Sequence, residues 1–253
     1  MSAQLRAFIF HSLGTLVAIA GVGYIVFIYW FPTGLGELAG RNSLYGLCIL
    51  GLFTSGPLLT ALLYRSSKSQ RALFIDMLLV AGIQCSALFY GVNALIVARP
   101  LALIFETDRF RMVTYADVPE QSHPLLEDWI LPWSLRGYVV AGLRAPASEA
   151  ERLQRFDDLL ADIGPSQRPV YWQDISLSAE DIRNRSRPLA DLINKYPAQR
   201  KKIEAIAHQA AATEKNPDLV WVPLVSRLSL DWIIVLNVGT LKPMGFLPLD
   251  GFI

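Results

Sequence analysis

The run Met77–Ala98 reads MLLVAGIQCSALFYGVNALIVA, 22 residues without a charge, and Arg99-Pro100 follows it directly. An α-helix rises 1.5 Å per residue, so about 20 apolar residues cross a hydrocarbon core of roughly 30 Å. The run is long enough, and proline disfavours helix at the residue before it, so the helix is expected to stop at Arg99. Two upstream runs have the same character: Ala7–Phe31 has 25 residues without a charge and Leu44–Tyr64 has 21. Nothing comparable follows residue 98. The expected organisation is a three-helix transmembrane anchor over 1–98 and one α+β domain over 99–253.

The 53% hydrophobic content averages two unlike parts. Residues 1–98 hold five Lys/Arg and two Asp/Glu, whereas 99–253 hold eighteen and twenty, a net of −2. A domain so near neutrality lacks the basic field of a nucleic-acid binder. Its 155 residues suffice for one hydrophobic core. Both cysteines, Cys48 and Cys85, fall in the apolar runs, where thiols usually serve as small packing residues, so the domain folds without disulfides.

Orientation follows from the positive-inside rule. Arg6 precedes the first run, and Arg65, Lys68 and Arg71 crowd the loop after the second, whereas Pro32–Ser43 carries Arg41 as its one positive charge. This places the N-terminus and the 65–71 loop in the cytoplasm and the domain across the membrane, in the periplasm of a Gram-negative cell. Ala18-Ile19-Ala20 looks like a signal-peptide cleavage site, but the apolar run continues eleven residues beyond it to Phe31, so a retained anchor is expected.

Helices in lipid associate through small residues and polar contacts. At 100° per residue, Gly14, Ala18, Gly21 and Ile25 share an arc of the first run, with His11 near its edge. Gly82, Ser86, Tyr90 and Asn93 share one in the third. These faces are the expected seam. Pro57, after Ser55-Gly56, predicts a kink. Asp76, the one acidic residue at membrane depth, is either functional or an interfacial carboxylate paired with Arg71, Lys68 or Arg6. Gln84 falls on another face, so no proton relay with Asp76 is evident.

In the domain, Leu101–Glu106 and Phe110–Tyr115 read as strands joined by a Thr107-Asp108-Arg109 turn, and Gly137–Leu143 reads as a third. The polar segment 117–132 reads as loop, with Trp129 and Trp133 as anchors. Ser148-Glu149-Ala150-Glu151 is a capping-box start for an amphipathic helix with Leu153, Phe156, Leu159 and Leu160 on one face. Ser178 is expected to cap a helix over 180–195 that Pro188 breaks, and a further helix follows Pro197. Apolar runs at 219–225, 232–238 and 244–249 read as a β-meander. Terminal antiparallel strands around a helical middle make the α+β class.

Sites of chemistry are few. His11, His123 and His208 are scattered without ligand spacing, and no P-loop, G-x-G-x-x-G or nucleophile elbow is present. Neither a metal nor a cofactor is expected. Glu106 with Asp108 is a possible carboxylate pair, although Arg109 beside them favours a turn-stabilising ion pair. Glu127-Asp128 reads as a solvated loop, and Asp157-Asp158 as the wet face of a helix. Arg183, Arg185, Arg187, Lys195, Arg200, Lys201 and Lys202, against Asp181 and Asp191, make a local +5. That cluster is either an ordinary solvated face or a docking patch for an acidic protein surface or lipid headgroups.

The run Ala98-Arg99-Pro100-Leu101-Ala102-Leu103-Ile104-Phe105-Glu106-Thr107-Asp108-Arg109-Phe110 resembles the segment after the last span of type IV pilin accessory proteins, the TfpX/TfpZ family, also known through FimB. Similar to that family too are Ser2–Phe8, Gly56-Pro57-Leu58-Leu59-Thr60, Phe74-Ile75-Asp76, Tyr90-Gly91, Trp221-Val222-Pro223-Leu224 and Gly245–Asp250. The likeness runs in order along the whole chain and is weakest over 145–215. Gly239-Thr240 reverses the family's Thr-Gly turn. The resemblance implies an inner-membrane accessory factor for type IV pilin, acting in pilin stability, assembly or display, and brings no active site. It marks Asp76, Arg99, Pro100, Glu106, Asp108 and Arg109 as family-matched positions. The expected partners are the major pilin, membrane lipid and other pilus assembly proteins. The alternative is a membrane enzyme that modifies pilin by glycan transfer, for which the sequence offers no acidic active-site loop.

Overall fold

The computed structural model describes residues 2–31, 34–126, 134–135 and 137–252. Glu127, Asp128, Trp129 and Trp133 lie outside the described residues. Among the described residues, three helices are long and apolar enough to cross a membrane: Ala3–Trp30, Arg41–Leu63 and Gln70–Ala98. The first is α1 (Ala3–Ile25), capped by the Ser2 hydroxyl, which accepts from the Leu5 N–H at 3.2 Å, and it ends in a π-helical turn, Val26–Trp30. A short α2 (Leu35–Leu38) leads to the second span, built of α3 (Arg41–Phe53), a π-helical turn (Thr54–Leu58) and α4 (Leu59–Leu63). Pro57 has no N–H to give the helix ladder, and the wider π turn carries the chain past it. The third span, α5 (Gln70–Ala98), starts seven residues before its charge-free run, because Ser69 caps it.

The seam between spans differs from the sequence expectation. In α1 the buried positions are Thr15, Ile19 and Gly23, continued by Val26 and Trp30, while Gly14 and Gly21 are exposed and Ala18 and Ile25 only half-buried. The Tyr45 hydroxyl donates to the Ile19 carbonyl at 2.7 Å and lies against Gly23. In α5 the face of Gly82, Ser86, Tyr90 and Asn93 points outward, with Tyr90 78% exposed. Small residues permit close approach on either side of a helix. Here the polar side chains of His11, Thr15, Thr60 and Gln84 choose the side.

The strands are β1 (Pro100–Glu106), β2 (Arg109–Thr114), β3 (Val139–Leu143), β4 (Trp172–Asp174), β5 (Arg187–Pro188), β6 (Leu219–Val225), β7 (Trp232–Asn237) and β8 (Lys242–Leu247). They form one mixed sheet in the order β4-β3-β1-β2-β6-β7-β8, with β5 also on β6. The expected β1–β2 hairpin and the β6–β7–β8 meander are both present and antiparallel. The two terminal groups join through a short parallel pairing of β2 with β6, and β3 runs parallel to β1. These joins, and the strands β4 and β5, go beyond the sequence reading. The reversed Gly239-Thr240 turn needs no left-handed glycine: the positive φ, 56°, falls on Leu241.

The helices are α6 (Glu149–Leu160), α7 (Ala179–Arg185), α8 (Leu189–Lys195) and α9 (Arg200–Thr213). Pro188 separates α7 from α8 as expected. Ser178 precedes α7 but makes no cap bond; its hydroxyl instead accepts from Gln173 at 3.2 Å. One sheet face buries Leu101, Ile104, Val113 and Ala141. The other carries Leu103, Phe105, Met112, Val222 and Ile234 into a cluster shared with Trp30, Phe31, Leu35 and Leu38, which seats the sheet on the end of the bundle. Leu192 of α8 and Ile203 of α9 cover Trp221 and Val235.

Candidate functional site

Pro223 interrupts one edge of β6. The β2–β6 ladder pairs Phe110 with Leu224 and Arg111 with Val225, so its next step would need Pro223, which has no N–H to donate. The ladder stops there, and β5 takes over further along, pairing Arg187 with Trp221. Between the two partners opens a cleft of about 420 Å³, lined by Asp108, Arg185, Arg187, Trp221, Pro223 and Phe252 among others. Asp108 holds Arg109 through two hydrogen bonds at 2.8 and 3.2 Å, and the Arg109 guanidinium lies 4.7 Å from the Phe252 ring centre. Arg187 lies 5.3 Å from the Trp221 ring. Two groups picked out separately in the sequence, the β1–β2 turn and the basic cluster, thus meet at one cleft suited to an acidic ligand group.

The rest of the basic cluster does not enter it. Arg183, Arg200, Lys201 and Lys202 are exposed, and Arg200 pairs with Glu204 at 3.7 Å. Arg200–Lys202 occupy the first turn of α9, where cations oppose the helix dipole and no acidic residue shares the turn. Glu106 pairs not with Arg109 but with Arg111, at 3.2 Å. Asp76 pairs with Lys68, one of the interfacial partners anticipated for it. Pro100 opens β1. Arg99 is buried at the junction of spans and sheet, and burial lowers its guanidinium to about 10, still charged at neutral pH. It donates to the Ser134 carbonyl, which also accepts from the Trp30 indole at 3.1 Å.

The second surface is α6, whose packing reverses the expectation. Leu153, Phe156, Leu159 and Leu160 are all exposed, Phe156 by 59% and Leu160 by 75%. Asp158, expected on the wet face, instead accepts from Arg168 at 2.5 and 3.1 Å. On the same inner face, Glu151 bonds Arg144 and Arg155, each at 2.9 Å, and Arg155 lies 4.0 Å from the Tyr171 ring. The Arg144 bonds, the Ala147 N–H and Arg155 hold the Glu151 carboxyl down at about 2. Two guanidiniums from outside the helix, Arg144 and Arg168, line the floor beneath α6, so the helix docks by its carboxylates and turns its apolar stripe outward. Sequence periodicity located that stripe but could not say which way it faced.

Within the bundle, His11 Nδ1 lies 2.6 Å from the Thr60 hydroxyl and Nε2 2.6 Å from Gln84 Oε1, while Gln84 Nε2 donates to Thr15 at 2.8 Å. The cluster joins all three spans, and its groups satisfy one another. His123 sits between Tyr115 and the Val118 carbonyl, and His208 is exposed. Among the described residues, no three His, Cys, Asp or Glu side chains gather to hold a metal.

No protein-family model and no solved structure matches the chain. It is 30% identical over 226 residues to "Fimbrial assembly protein, serogroup E1" of Dichelobacter nodosus, covering 89% of this chain and 87% of that one. It is 28% identical over 228 residues to the serogroup I protein of the same organism, covering 90% and 88%. A third relative there, of serogroups C1 and C2, is 34% identical over 109 residues, which is 43% of this chain and 82% of that one. With such likeness along nearly the whole length of both chains, this protein belongs to the fimbrial assembly protein family.

Proposed function

We propose that the chain is a type IV pilin accessory factor of the TfpX/TfpZ kind, which binds the pilin subunit and supports its stability and assembly without catalysing a reaction. The observation that carries this reading is the outward apolar face of α6. An exposed apolar stripe on a helix otherwise fixed by ion pairs marks a protein contact. Lipid is a poor candidate to cover it. β1 leaves the bundle at Pro100, and β3 runs parallel to it for four paired residues, so Arg144, which anchors α6, lies at the far end of the sheet. Seven strand residues put that end about 20 Å from the bundle.

Two further features fit a pilin partner. The outward face of α5 presents Gly82, Ser86, Tyr90 and Asn93, small and polar residues that suit a partner's membrane helix better than lipid. The Arg185–Arg187 cleft suits carboxylates on the subunit's head. In this reading Arg6, Arg65, Lys68 and Arg71 face the cytoplasm and the sheet lies in the periplasm of a Gram-negative cell. A subunit awaiting assembly exposes surface that the filament later buries, and a membrane-tethered partner meets it at high effective concentration.

Affinity purification of the full chain from its native membrane should recover pilin, and deletion should lower surface pili or pilin stability with pilin mass unchanged. Normal pilin levels, assembly and retraction in the deletion strain, with no pilin recovered, would overturn the reading. A glycan lost from pilin would replace it with the modifying-enzyme alternative.

A further inference from the structure

A cavity of about 540 Å³ lies where the bundle meets the sheet, within the usual size range of small-ligand sites. Gly40 and Leu44 at the start of the second span, Ala98 at the end of the third, Met112 of β2 and Leu228 of the β6–β7 turn line it. Its lining is mostly apolar, with Arg227 at the rim. Arg227 is exposed and has no ion-pair partner among the described residues.

The turn that closes the cavity is firmly built. The Ser226 hydroxyl accepts from the N–H groups of Leu228 and Ser229, each at 3.1 Å, and the Ser226 N–H donates to the Ser229 carbonyl at 2.8 Å. That geometry holds Leu228 and Leu230 outward, 68% and 62% exposed. Gly40 lets the turn approach: its φ is +71°, and a Cβ there would meet Leu228 at 3.2 Å. One and two helical turns on from Ser43 and Leu44, the outward residues Leu47 and Leu50 face the hydrocarbon, so the cavity continues the lipid-facing surface of the second span.

We propose that this cavity is a phospholipid site. An acyl chain lies along Leu44, Ala98 and Met112, Arg227 takes the phosphate, and Leu228 and Leu230 dip into the interface of the leaflet on the domain's side. The argument rests on the cavity's continuity with the lipid-facing surface of the second span and on the exposed Arg227 guanidinium beside it. A guanidinium at an interface bonds phosphate by paired, charge-assisted hydrogen bonds. The site would fix how the sheet stands on the bilayer, independently of what α6 binds.

The test uses the full chain in nanodiscs of phosphatidylethanolamine and phosphatidylglycerol, doped with phosphatidylglycerol carrying a diazirine on one acyl chain. Photolabelling followed by peptide mass spectrometry should place adducts on Met112 and on 226–230 in clear excess over Leu78 and Leu79 of α5, which face lipid generally. Arg227→Glu, on an exposed turn, should lower that labelling about tenfold, as expected for losing one charged hydrogen-bonded contact. Ala116→Trp, which fills the cavity from its exposed rim, should lower it as well. Labelling no greater than at Leu78, labelling unchanged in both variants, or capture of a protein at these positions in place of lipid would each overturn the proposal.

Discussion

Asp158 and Arg168 are joined by hydrogen bonds of 2.5 and 3.1 Å, and that pair fixes α6 by the face carrying its charges. Both side chains are under 20% exposed. Removing one leaves the other's charge in a half-dry site, a loss larger than that of a surface pair and smaller than that of a fully buried one. Asp158→Ala should therefore cost about 2 kcal/mol in the unfolding of the detergent-solubilised chain. Phe156→Ser, on the outward face, should stay within about 0.5 kcal/mol of the parent. Equal losses for the two would mean that α6 buries its apolar side after all.

Glu151 supplies a pH dependence. Its carboxyl, held at about 2 in the folded chain by Arg144, then Ala147 and Arg155, has an ordinary value near 4.5. A lowered folded value adds stability that is fully present above the unfolded value and is lost as pH falls through the folded one. The excess stability of the parent over Glu151→Gln should be flat above about pH 5 and shrink steadily toward pH 2. Paired acid titrations followed by tryptophan fluorescence give this directly, and a difference that grows on acidification contradicts it.

Gln84 touches both His11 and Thr15, and His11 also reaches Thr60. Interhelical hydrogen bonds in lipid contribute about 0.6 to 2 kcal/mol each. Gln84→Leu should weaken association of the three spans by about 1–2 kcal/mol and leave the isolated polar groups of His11 and Thr15 to find new partners. Steric-trapping or denaturing-detergent titrations of the full chain measure the change.

Thr107 sits at the tip of the β1–β2 hairpin with φ +43°. A β-branched residue in the left-handed region costs roughly 1–2 kcal/mol that glycine avoids, partly offset by glycine's freedom in the unfolded chain. Thr107→Gly should raise stability by up to about 1 kcal/mol, visible as a higher Tm. A lower Tm would show that the side chain makes a compensating contact.

Much of the architecture was legible because hydropathy and turn chemistry are local. Arg99-Pro100 ends the third span, Thr107-Asp108-Arg109 makes the first hairpin, and Pro188 parts α7 from α8, each from a few neighbouring residues, whereas the Ser69 cap that starts the third span lies outside its charge-free run. What stayed hidden depends on partners distant in sequence. The β2–β6 pairing unites strands more than a hundred residues apart, and Pro223 sets where it stops. The small-residue rows of Gly14 and Gly82 had two sides to choose from, and His11, Gln84 and Tyr45 made the choice.

The candidate site followed the same division. Asp108, Arg109, Arg185 and Arg187 were each visible as residues, but only the broken edge of β6 brings them to one cleft. For α6, periodicity identified Leu153, Phe156, Leu159 and Leu160 as one face. That face ordinarily points inward. It points outward here because Arg144 and Arg168, both outside the helix, form the floor, and Arg155 of the helix itself reaches down to the Arg144 carbonyl.

The most direct test places a benzophenone amino acid at position 156 of the full chain in its native pilus-bearing cell, with a matched control at the exposed residue His208 of α9. Ultraviolet crosslinking and mass spectrometry should recover pilin from position 156 and not from position 208. Recovery of lipid alone, of a second copy of this chain, or of pilin equally from both positions would contradict the claim that the outward face of α6 holds the subunit.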